Sequence, residues 1–579
     1  MYIVYTVTLT DAFSARMSTC KEIDSHMLLH AHIAEKSYGN KILYRGLELA
    51  IADGQKIGLI GRNGTGKSTL LNMIGGDDTD YDGDINIRTG AIVISSRQEH
   101  HDHEEKNVIE YILGDLPEFT SLKHIIDTYP EHMGNSNTKL QTYSDALERF
   151  TQLGYFEVEG EIEEALKQYQ LGPDHIQGPL KDLSGGQLRM VELVKVQRAK
   201  AHLALIDEPT NHMDYVAKAS FISWMRSTKE AVLVITHDRD VLKHVDKIIE
   251  IRDGKTDIFN GNYDTYLRTN ASTITSEVNQ YTIVQSRIKN LKNDIIRFRR
   301  FKEKARNPGT ISRFKSLEQR ATKELAQLEA TEKPSFWIDK DSVKTIGTKV
   351  SESYEELKTR NIRITTQTKA TRSSNKLIEV SDLSLGYDGG PLFNPISFQL
   401  REGDRLQLHG RNGAGKSTIA RHIIATADPD QRSASRVIAG DTFCDKMVRI
   451  GIYEQELDSR HLHMTLAAAI EEVYMAKDLP ISDRKIKQLM SDYLFNPMTD
   501  GDKPLSTFSG GQKARFQIMR MLAGEPNVLI LDEPTNHLDL PSIEELDSAL
   551  EQYHGAIIYI SHDSYFTASL GGKSITIAP

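Results

Sequence analysis

Lys56-Ile57-Gly58-Leu59-Ile60-Gly61-Arg62-Asn63-Gly64-Thr65-Gly66-Lys67-Ser68-Thr69-Leu70-Leu71 is the stretch on which the fold turns. It opens as a buried strand, and Gly61 to Ser68 then fit Gly-x-x-x-x-Gly-Lys-Ser before an apolar helix start. In that order, backbone N–H groups curl around phosphates and the helix N-terminus favours their charge. Lys67 is placed for the β- and γ-phosphates, and the Ser68 hydroxyl for Mg²⁺. The stretch predicts a nucleotide site.

The same pattern returns. Arg405-Leu406-Gln407-Leu408-His409 leads into Gly410-Arg411-Asn412-Gly413-Ala414-Gly415-Lys416-Ser417. Three more segments repeat, all three at one constant offset along the chain. Leu183-Ser184-Gly185-Gly186-Gln187 pairs with Phe508-Ser509-Gly510-Gly511-Gln512. Leu205-Ile206-Asp207-Glu208-Pro209-Thr210-Asn211-His212 pairs with Ile530-Leu531-Asp532-Glu533-Pro534-Thr535-Asn536-His537. Ile235-Thr236-His237-Asp238 pairs with Ile560-Ser561-His562-Asp563. The chain is an internal duplication. Lys67 and Lys416 lie further apart than that offset, so the first copy is longer between its phosphate loop and Ser184. A helical pattern near 113–154 predicts a small helical insert there.

Between the copies, Tyr281, Val284, Ile288, Leu291, Ile295 and Phe298 recur at steps of 3 and 4, the seam of a helix packed on a partner helix. Asn307-Pro308-Gly309 interrupts, and Phe314, Leu317, Ala321, Leu325 and Leu328 resume. An antiparallel helical hairpin is expected, its first arm running from about Thr273 to Arg306. Its tip is basic: Arg297, Arg299, Arg300, Lys302, Lys304, Arg306, Arg313 and Lys315 stand against the single acid Glu303. A solvated helix face explains such a run blandly; a probe for a polyanion explains it sharply. Phe298, Phe301 and Phe314 would then pack on bases or on each other.

The 579 residues allow several domains, and 26% charged with 39% hydrophobic residues is ordinary for a globular chain. With a net charge of −10, attraction to a polyanion must be local to the tip. No apolar run approaches the ~18 residues of a membrane helix. Two cysteines, Cys20 and Cys444, exclude a disulfide framework or a cysteine metal site and fit a reducing, cytoplasmic setting. Met1 to His26 lacks the features of a signal peptide and is expected to be a short extension, or to precede a true start at Met27.

Phosphate loop, Leu-Ser-Gly-Gly-Gln, apolar-Asp-Glu and a later strand-end His resemble the parts of an ATP-binding cassette ATPase. Two cassettes, both with Glu-Pro-Thr-Asn-His and with a basic hairpin between them, resemble the ABC-F family over about Leu28 to Phe566. The segment Phe259 to Leu267 is similar to that family's entry into its linker. The fold class implied is α/β: two P-loop ABC-type ATPase domains in tandem, joined by a long antiparallel helical hairpin linker. The boundaries expected are an extension 1–27, a first cassette 28–268, a linker 269–340, a connector 341–375 and a second cassette 376–579.

The resemblance implies a role for each motif residue. ATP would be bound by Gly61, Asn63, Gly64, Gly66, Lys67, Ser68 and Thr69, and by Gly410, Asn412, Gly413, Gly415, Lys416, Ser417 and Thr418. Asp207 and Asp532 would hold the Mg²⁺ shell with Ser68, Ser417 and the Q-loop-like Gln98 and Gln455. Glu208 and Glu533 would polarise the attacking water, and His237 and His562 would contact the γ-phosphate. Tyr38 and Tyr387 resemble the aromatic that stacks on adenine, with core packing as the competing reading. Each signature, Ser184-Gly185-Gly186-Gln187 or Ser509-Gly510-Gly511-Gln512, would cap the nucleotide held by the opposite phosphate loop, making a monomer with an intramolecular sandwich. Phe508 and Met213 replace the usual leucines, apolar for apolar, and no catalytic position is missing, so both sites are expected to hydrolyse ATP.

For partners, ABC-F resemblance implies the ribosome (rRNA and tRNA). Binding would be at the tRNA exit site, with the hairpin reaching toward P-site tRNA and the peptidyl-transferase region. A housekeeping translation factor and an antibiotic-resistance factor both fit, the compact turn leaning toward the former. An importer's twin ATPase would need no basic hairpin. A DNA-acting relative would add a basic coiled coil after the second cassette, where this sequence offers only the short stretch from Thr567 to Pro579.

Overall fold

The computed structural model describes residues 27–38, 41–97, 103–132, 137–252, 254–329, 376–387, 390–428, 435–454, 457–536 and 538–578. The extension before Met27, the connector 341–375, Gln98 and Gln455 lie outside them. Two bodies emerge: one takes in both cassettes, and the other spans Asp264–Ile362.

The first cassette contains β1 (Met27–Tyr38), β2 (Lys41–Ala52), β3 (Lys56–Gly61), β4 (Asp82–Ile87), β5 (Val93–Ser95), β6 (Leu203–Asp207), β7 (Ala231–Ile235), β8 (Lys247–Arg252) and β9 (Lys255–Asn260). A six-stranded sheet runs β5-β6-β7-β3-β8-β9, parallel except for the β8–β9 edge. β7 is a continuous apolar run and β6 is apolar up to its closing Asp207, each buried at all five positions, as strands covered on both faces are. A second, antiparallel sheet runs β2-β1-β4. Between the sheets, Leu29, Ile33, Leu49, Ile57, Leu205 and Leu233 join one core with Leu70 and Ile74 of α1 (Lys67–Gly75). Two helices, α2 (Phe119–His132) and α3 (Asn137–Leu153), occupy the extra length of this cassette. Phe119, Phe150 and Tyr155 pack ring to ring there at 5.3–5.7 Å. Next come α4 (Gly185–Arg198) and α5 (Tyr215–Ser227).

The described part of the second body, up to Glu329, is a helical pair. Helix α6 (Tyr263–Lys304) has 42 residues, roughly 63 Å at 1.5 Å per residue, and α7 (Pro308–Glu329) returns along it. Arg287–Glu324 and Arg299–Glu318, each at 2.8 Å, run in opposite order along the two helices and fix the antiparallel sense. Leu291, Ile295 and Ala321 are buried in the seam, with Phe298, Leu325 and Leu328 against them. The side chain of Tyr281 lies outside the described residues. Helix α6 begins at Tyr263, well before the expected Thr273. Its start is polar, and the Thr269 and Thr273 hydroxyls there donate back to the carbonyls of Thr265 and Thr269, at 3.0 and 3.1 Å. The turn is compact, as the sequence suggests, and lies between Lys304 and Pro308. Asn307 Oδ1 accepts the Gly309 N–H at 2.9 Å, so Asn307 caps a helix that already includes Pro308 as its first residue.

The second cassette repeats the plan with β10 (Lys376–Tyr387), β11 (Gly390–Pro391), β12 (Ile396–Arg401), β13 (Arg405–His409), β14 (Arg436–Cys444), β15 (Ile450–Tyr453), β16 (Val528–Asp532), β17 (Ala556–Ile560) and β18 (Lys573–Thr576). Its parallel sheet runs β15-β16-β17-β13-β18, and β10 pairs with β11, β12 and β14 in the antiparallel one. The helices matching α1, α4 and α5 are α8 (Lys416–Ala427), α9 (Gly510–Leu522) and α10 (Leu540–Glu551).

Candidate active site

In each cassette the chemistry collects at the C-terminal ends of three neighbouring strands, where open α/β sheets place ligands. The phosphate loop leaves β3 or β13. Asp207 closes β6 and Asp532 closes β16, while His237 and His562 follow β7 and β17. Gly66 and Gly415 cap α1 and α8 at φ +97° and +91°, left-handed conformations that glycine adopts without strain. Beneath them lies an aromatic floor. The Tyr44 hydroxyl donates to the Gly66 carbonyl, and Phe393 holds the equivalent place under Gly415. The Lys67 ammonium donates to the Gly61 and Arg62 carbonyls at 2.7 and 3.2 Å, and Lys416 to those of Gly410 and Arg411 at 2.8 and 3.0 Å.

Glu208 and Glu533 both adopt positive φ, +45° and +46°, unusual for a side chain of this size. Each is fixed by its N–H, which donates to the carbonyl of Ile235 or Ile560 at 2.9 Å. In both copies the histidine Nε2 lies 3.4 Å from the glutamate Oε1. Burial pushes the Glu208 carboxyl up to about 8, against the pull of Lys67, and Glu533 up to about 7, against that of Lys416. A base whose pKa lies near the working pH is well matched to taking a proton from water. Burial, reinforced by the same lysines, depresses His237 and His562 to about 3, so both rings are neutral at pH 7.

The raised carboxyls predict a pH effect. Unfolded glutamates ionise near 4.5, whereas these two stay protonated to about 7 and 8 in the fold. Their contribution is therefore complete below pH 4.5 and is lost as pH climbs through 7–8. Thermal melts of nucleotide-free protein at pH 5, 6.5 and 8 should show a Glu208→Gln/Glu533→Gln variant gaining on the wild type as pH rises. A constant gap would remove the burial argument.

The cassettes meet head to tail. A cavity of about 960 Å³ is lined by Ser184, Gly185 and Gly186 from one half and by Lys416, Glu533 and His562 from the other. Gln187, Tyr387, Gly413, Gly415, Ser417, Thr418 and Asp532 face the same space. Ser184 and Gln187 close a reciprocal capping box, as do Ser509 and Gln512, holding the first-turn N–H groups of α4 and α9 at the surface. Tyr38 is 75% and Tyr387 48% exposed, which removes core packing as their role. Phe508 is buried edge-on against Phe495 at 5.8 Å, and Met213 is buried at 3% exposure, so both departures are absorbed by packing.

Two residues to which the sequence reading gave no role make contacts across the junction. Asp214 and Asp539 cap α5 and α10 with one carboxylate oxygen and reach the opposite phosphate loop with the other. Asp539 Oδ2 accepts the Asn63 N–H at 2.9 Å; Asp214 Oδ2 accepts the Asn412 N–H and Arg411 Nε at 3.3 Å each. Burial alone would raise both carboxyls. The Ala217 and Asn412 N–H groups with Arg411 outweigh it at Asp214, and the Ser542 hydroxyl with the Asn63 N–H at Asp539, so both lie below the usual range. Their signal in the sequence was an equivalent place in the two repeats just ahead of an apolar helix, an N-cap position.

The residues fit ATP. Both ring nitrogens of His237 and of His562 are buried without a protein hydrogen-bond partner, and both rings line the cavity. The sequence profile of the ABC transporter family matches residues 44–211 and 393–536, more than half the chain, and a companion profile of the same description matches 249–344. The chain belongs to the ABC ATPases, as a twin-cassette member of the ABC-F type. This ABC-F chain is an ATP hydrolase. It is 28% identical to YdiF, an ATP-binding protein by name, from Bacillus subtilis (strain 168), over 95% of this chain and 80% of that one. It is also 28% identical to the energy-dependent translational throttle protein EttA of Mycobacterium tuberculosis (strain H37Rv), over 92% of this chain and 88% of EttA. Among solved structures, the archaeal ribosome recycling factor aABCE1, in complex with the stalk protein aP1, superposes with a TM-score of 0.56 at 15% identity, covering 94% of this chain and 87% of that one. That likeness is one of fold. Among the described residues no helix is long and apolar enough to cross a membrane.

Proposed function

We propose that this ABC-F ATPase is a cytoplasmic factor that binds the ribosome at the tRNA exit site. Closure of its cassettes on ATP would position the basic hairpin near P-site tRNA and the peptidyl-transferase region, pacing or rescuing translation. The observation that carries this reading is the exposed basic turn: Arg297, Arg300, Lys304, Arg306, Arg313 and Lys315 are all exposed. Arg299 and Lys302 are partly neutralised, since both pair with Glu318, an acid just beyond the one-sided run. Phe301 and Phe314 pack on each other at 5.4 Å, and Arg297 lies over the Phe301 ring at 5.5 Å, so the aromatics brace the cations. The name of the relative EttA supports a translational setting. A role in antibiotic resistance has no support of its own in the hairpin.

Within each site the neutral His237 or His562 donates one N–H toward the γ-phosphate, Glu208 or Glu533 orients the attacking water, and the signature N–H groups close the far side. Ser417 hydrogen-bonds to Asp532, the pair that would hold Mg²⁺ in the second site, with Ser68 and Asp207 in the first. Mg²⁺, when bound, neutralises charge on the terminal phosphates. Among the described residues no three His, Cys, Asp or Glu side chains form a metal cluster, which suits an ion held by one carboxylate, a hydroxyl, water and phosphate.

The test is co-sedimentation of the Glu208→Gln/Glu533→Gln variant with 70S ribosomes in ATP and in ADP. Retention is expected with ATP. Neutralising Arg297, Arg300, Lys304 and Arg306 should weaken it and reduce the slope of log affinity against log salt by roughly 0.7–0.9 for each phosphate no longer neutralised. Equal retention in ADP and ATP, or recovery only with membranes, would overturn the ribosome reading.

A further inference from the structure

Lys218 of α5 is 8% exposed, and its ammonium has three acceptors. Asp240 lies at 2.9 Å and Asp238 at 3.2 Å, both just after His237 in the first cassette. The third acceptor belongs to the other half: Lys218 Nζ donates to the backbone carbonyl of His562 at 2.9 Å. Three N–H donors meet three oxygens, so the ammonium is fully used. Burial pushes Lys218 down, but Asp238 and Asp240 more than offset it and hold its pKa above the ordinary lysine value, so it is charged.

The duplication is broken at this point. In the repeat, the position equivalent to Lys218 is Ile543, a side chain with no donor. Neighbouring contacts are one-sided too. Ser564 Oγ bonds Asp240 at 2.8 Å, Arg239 reaches Glu544 at 3.1 Å, and Arg239 and Lys243 lie over the Tyr565 ring at 4.9 and 4.7 Å. Arg239 corresponds to Ser564 and Asp240 to Tyr565, so two halves that share every motif differ where their switch segments touch.

We propose that Lys218 is a positioning residue for one of the two hydrolytic sites: by gripping the His562 carbonyl it fixes the switch of the Lys416–Glu533–His562 site, and the Lys67–Glu208–His237 site, with Ile543 opposite, works without that grip. The two sites therefore hydrolyse ATP at different rates, and the charged knot around Lys218 ties the state of the first switch segment to the geometry of the second. This rests on His562 as the γ-phosphate contact. A carbonyl pinned at residue 562 limits rotation of the same residue's backbone, and with it the placement of the ring beside Glu533. Misplacement by about 1 Å can cost on the order of 10²-fold in rate.

The experiment isolates each site. Glu208→Gln leaves the second site competent and Glu533→Gln the first, and single-turnover ATP hydrolysis is followed in both backgrounds. Lys218→Met should slow the Glu208→Gln protein by roughly ten- to 10²-fold, at least about tenfold more than it slows the Glu533→Gln protein. The ATP concentration at half-maximal rate should barely move, and Lys218→Arg, which keeps the charge, should restore part of the rate. Equal losses in both backgrounds would reduce Lys218 to an interface prop, and no loss in either would overturn the proposal directly. If Glu208→Gln and Glu533→Gln each left the parent rate intact, the assignment of the sites themselves would fall, a result distinct from a failure at Lys218.

Discussion

Replacing Glu208 and Glu533 together by glutamine is expected to lower steady-state ATP turnover by roughly 10²–10⁴-fold, with ATP binding retained. Glutamine keeps the volume and one acceptor, so Lys67, Lys416 and the cross-cassette contacts are undisturbed. What disappears is a carboxylate whose burial has brought its pKa to about 8 or 7 and which sits 3.4 Å from a neutral histidine. Alanine is the poorer choice, because it also empties the space that the glutamate side chain fills beside the histidine. The measurement is phosphate release at saturating ATP beside the equilibrium affinity for ATP. Turnover within about threefold of wild type would mean that another group activates the water. A large rise in the dissociation constant would mean that the glutamates shape the pocket more than the chemistry.

The second large effect belongs to Asp214 and Asp539. Each carboxylate makes an N-cap and a charge-assisted hydrogen bond to the opposite phosphate loop. Alanine at either position should cost about 0.5–2 kcal/mol of helix capping, and removal of the cross-cassette bond about 1.5–3 kcal/mol of the joined state. The double alanine variant should therefore show turnover reduced by at least about tenfold together with a lower melting temperature. Asparagine separates the two effects. It still caps, so Asp214→Asn/Asp539→Asn should melt near the wild type while its turnover stays low, since the charge facing Asn63 and Asn412 is gone. If asparagine restored turnover as well as stability, the cross-cassette bond would be incidental to catalysis.

Most of the candidate site's layout was legible because it is written in contiguous motifs. Gly61 to Ser68, Ser184 to Gln187 and Asp207-Glu208 each carry their geometry in local spacing, and a second copy of each, in the same order, removes coincidence. The hairpin seam was legible for the same reason, as a period. Contacts closed by tertiary structure were not. Tyr44 and Phe393 become the floor of the phosphate loops only when the chain ahead of each loop folds beneath it. Glu318 softens the basic turn from the returning helix, a relation that the basic run ending at Lys315 does not reveal. The early start of α6 runs through a Thr- and Asn-rich stretch whose helix propensity is low, so the sequence alone does not mark it.

The reciprocal reach of Asp214 and Asp539 has a consequence for how damage combines. Residues that complete one site are split between halves, so variants of this single chain should sort into two functional groups that cut across the sequence. Asn63 and Lys67 group with Asp539, while Asn412 and Lys416 group with Asp214 and Ser184. Two lesions within one group strike the same site and should be epistatic; two lesions in the same cassette but different groups should compound. A protein with one broken group keeps one working site. A protein with a single broken cassette keeps none.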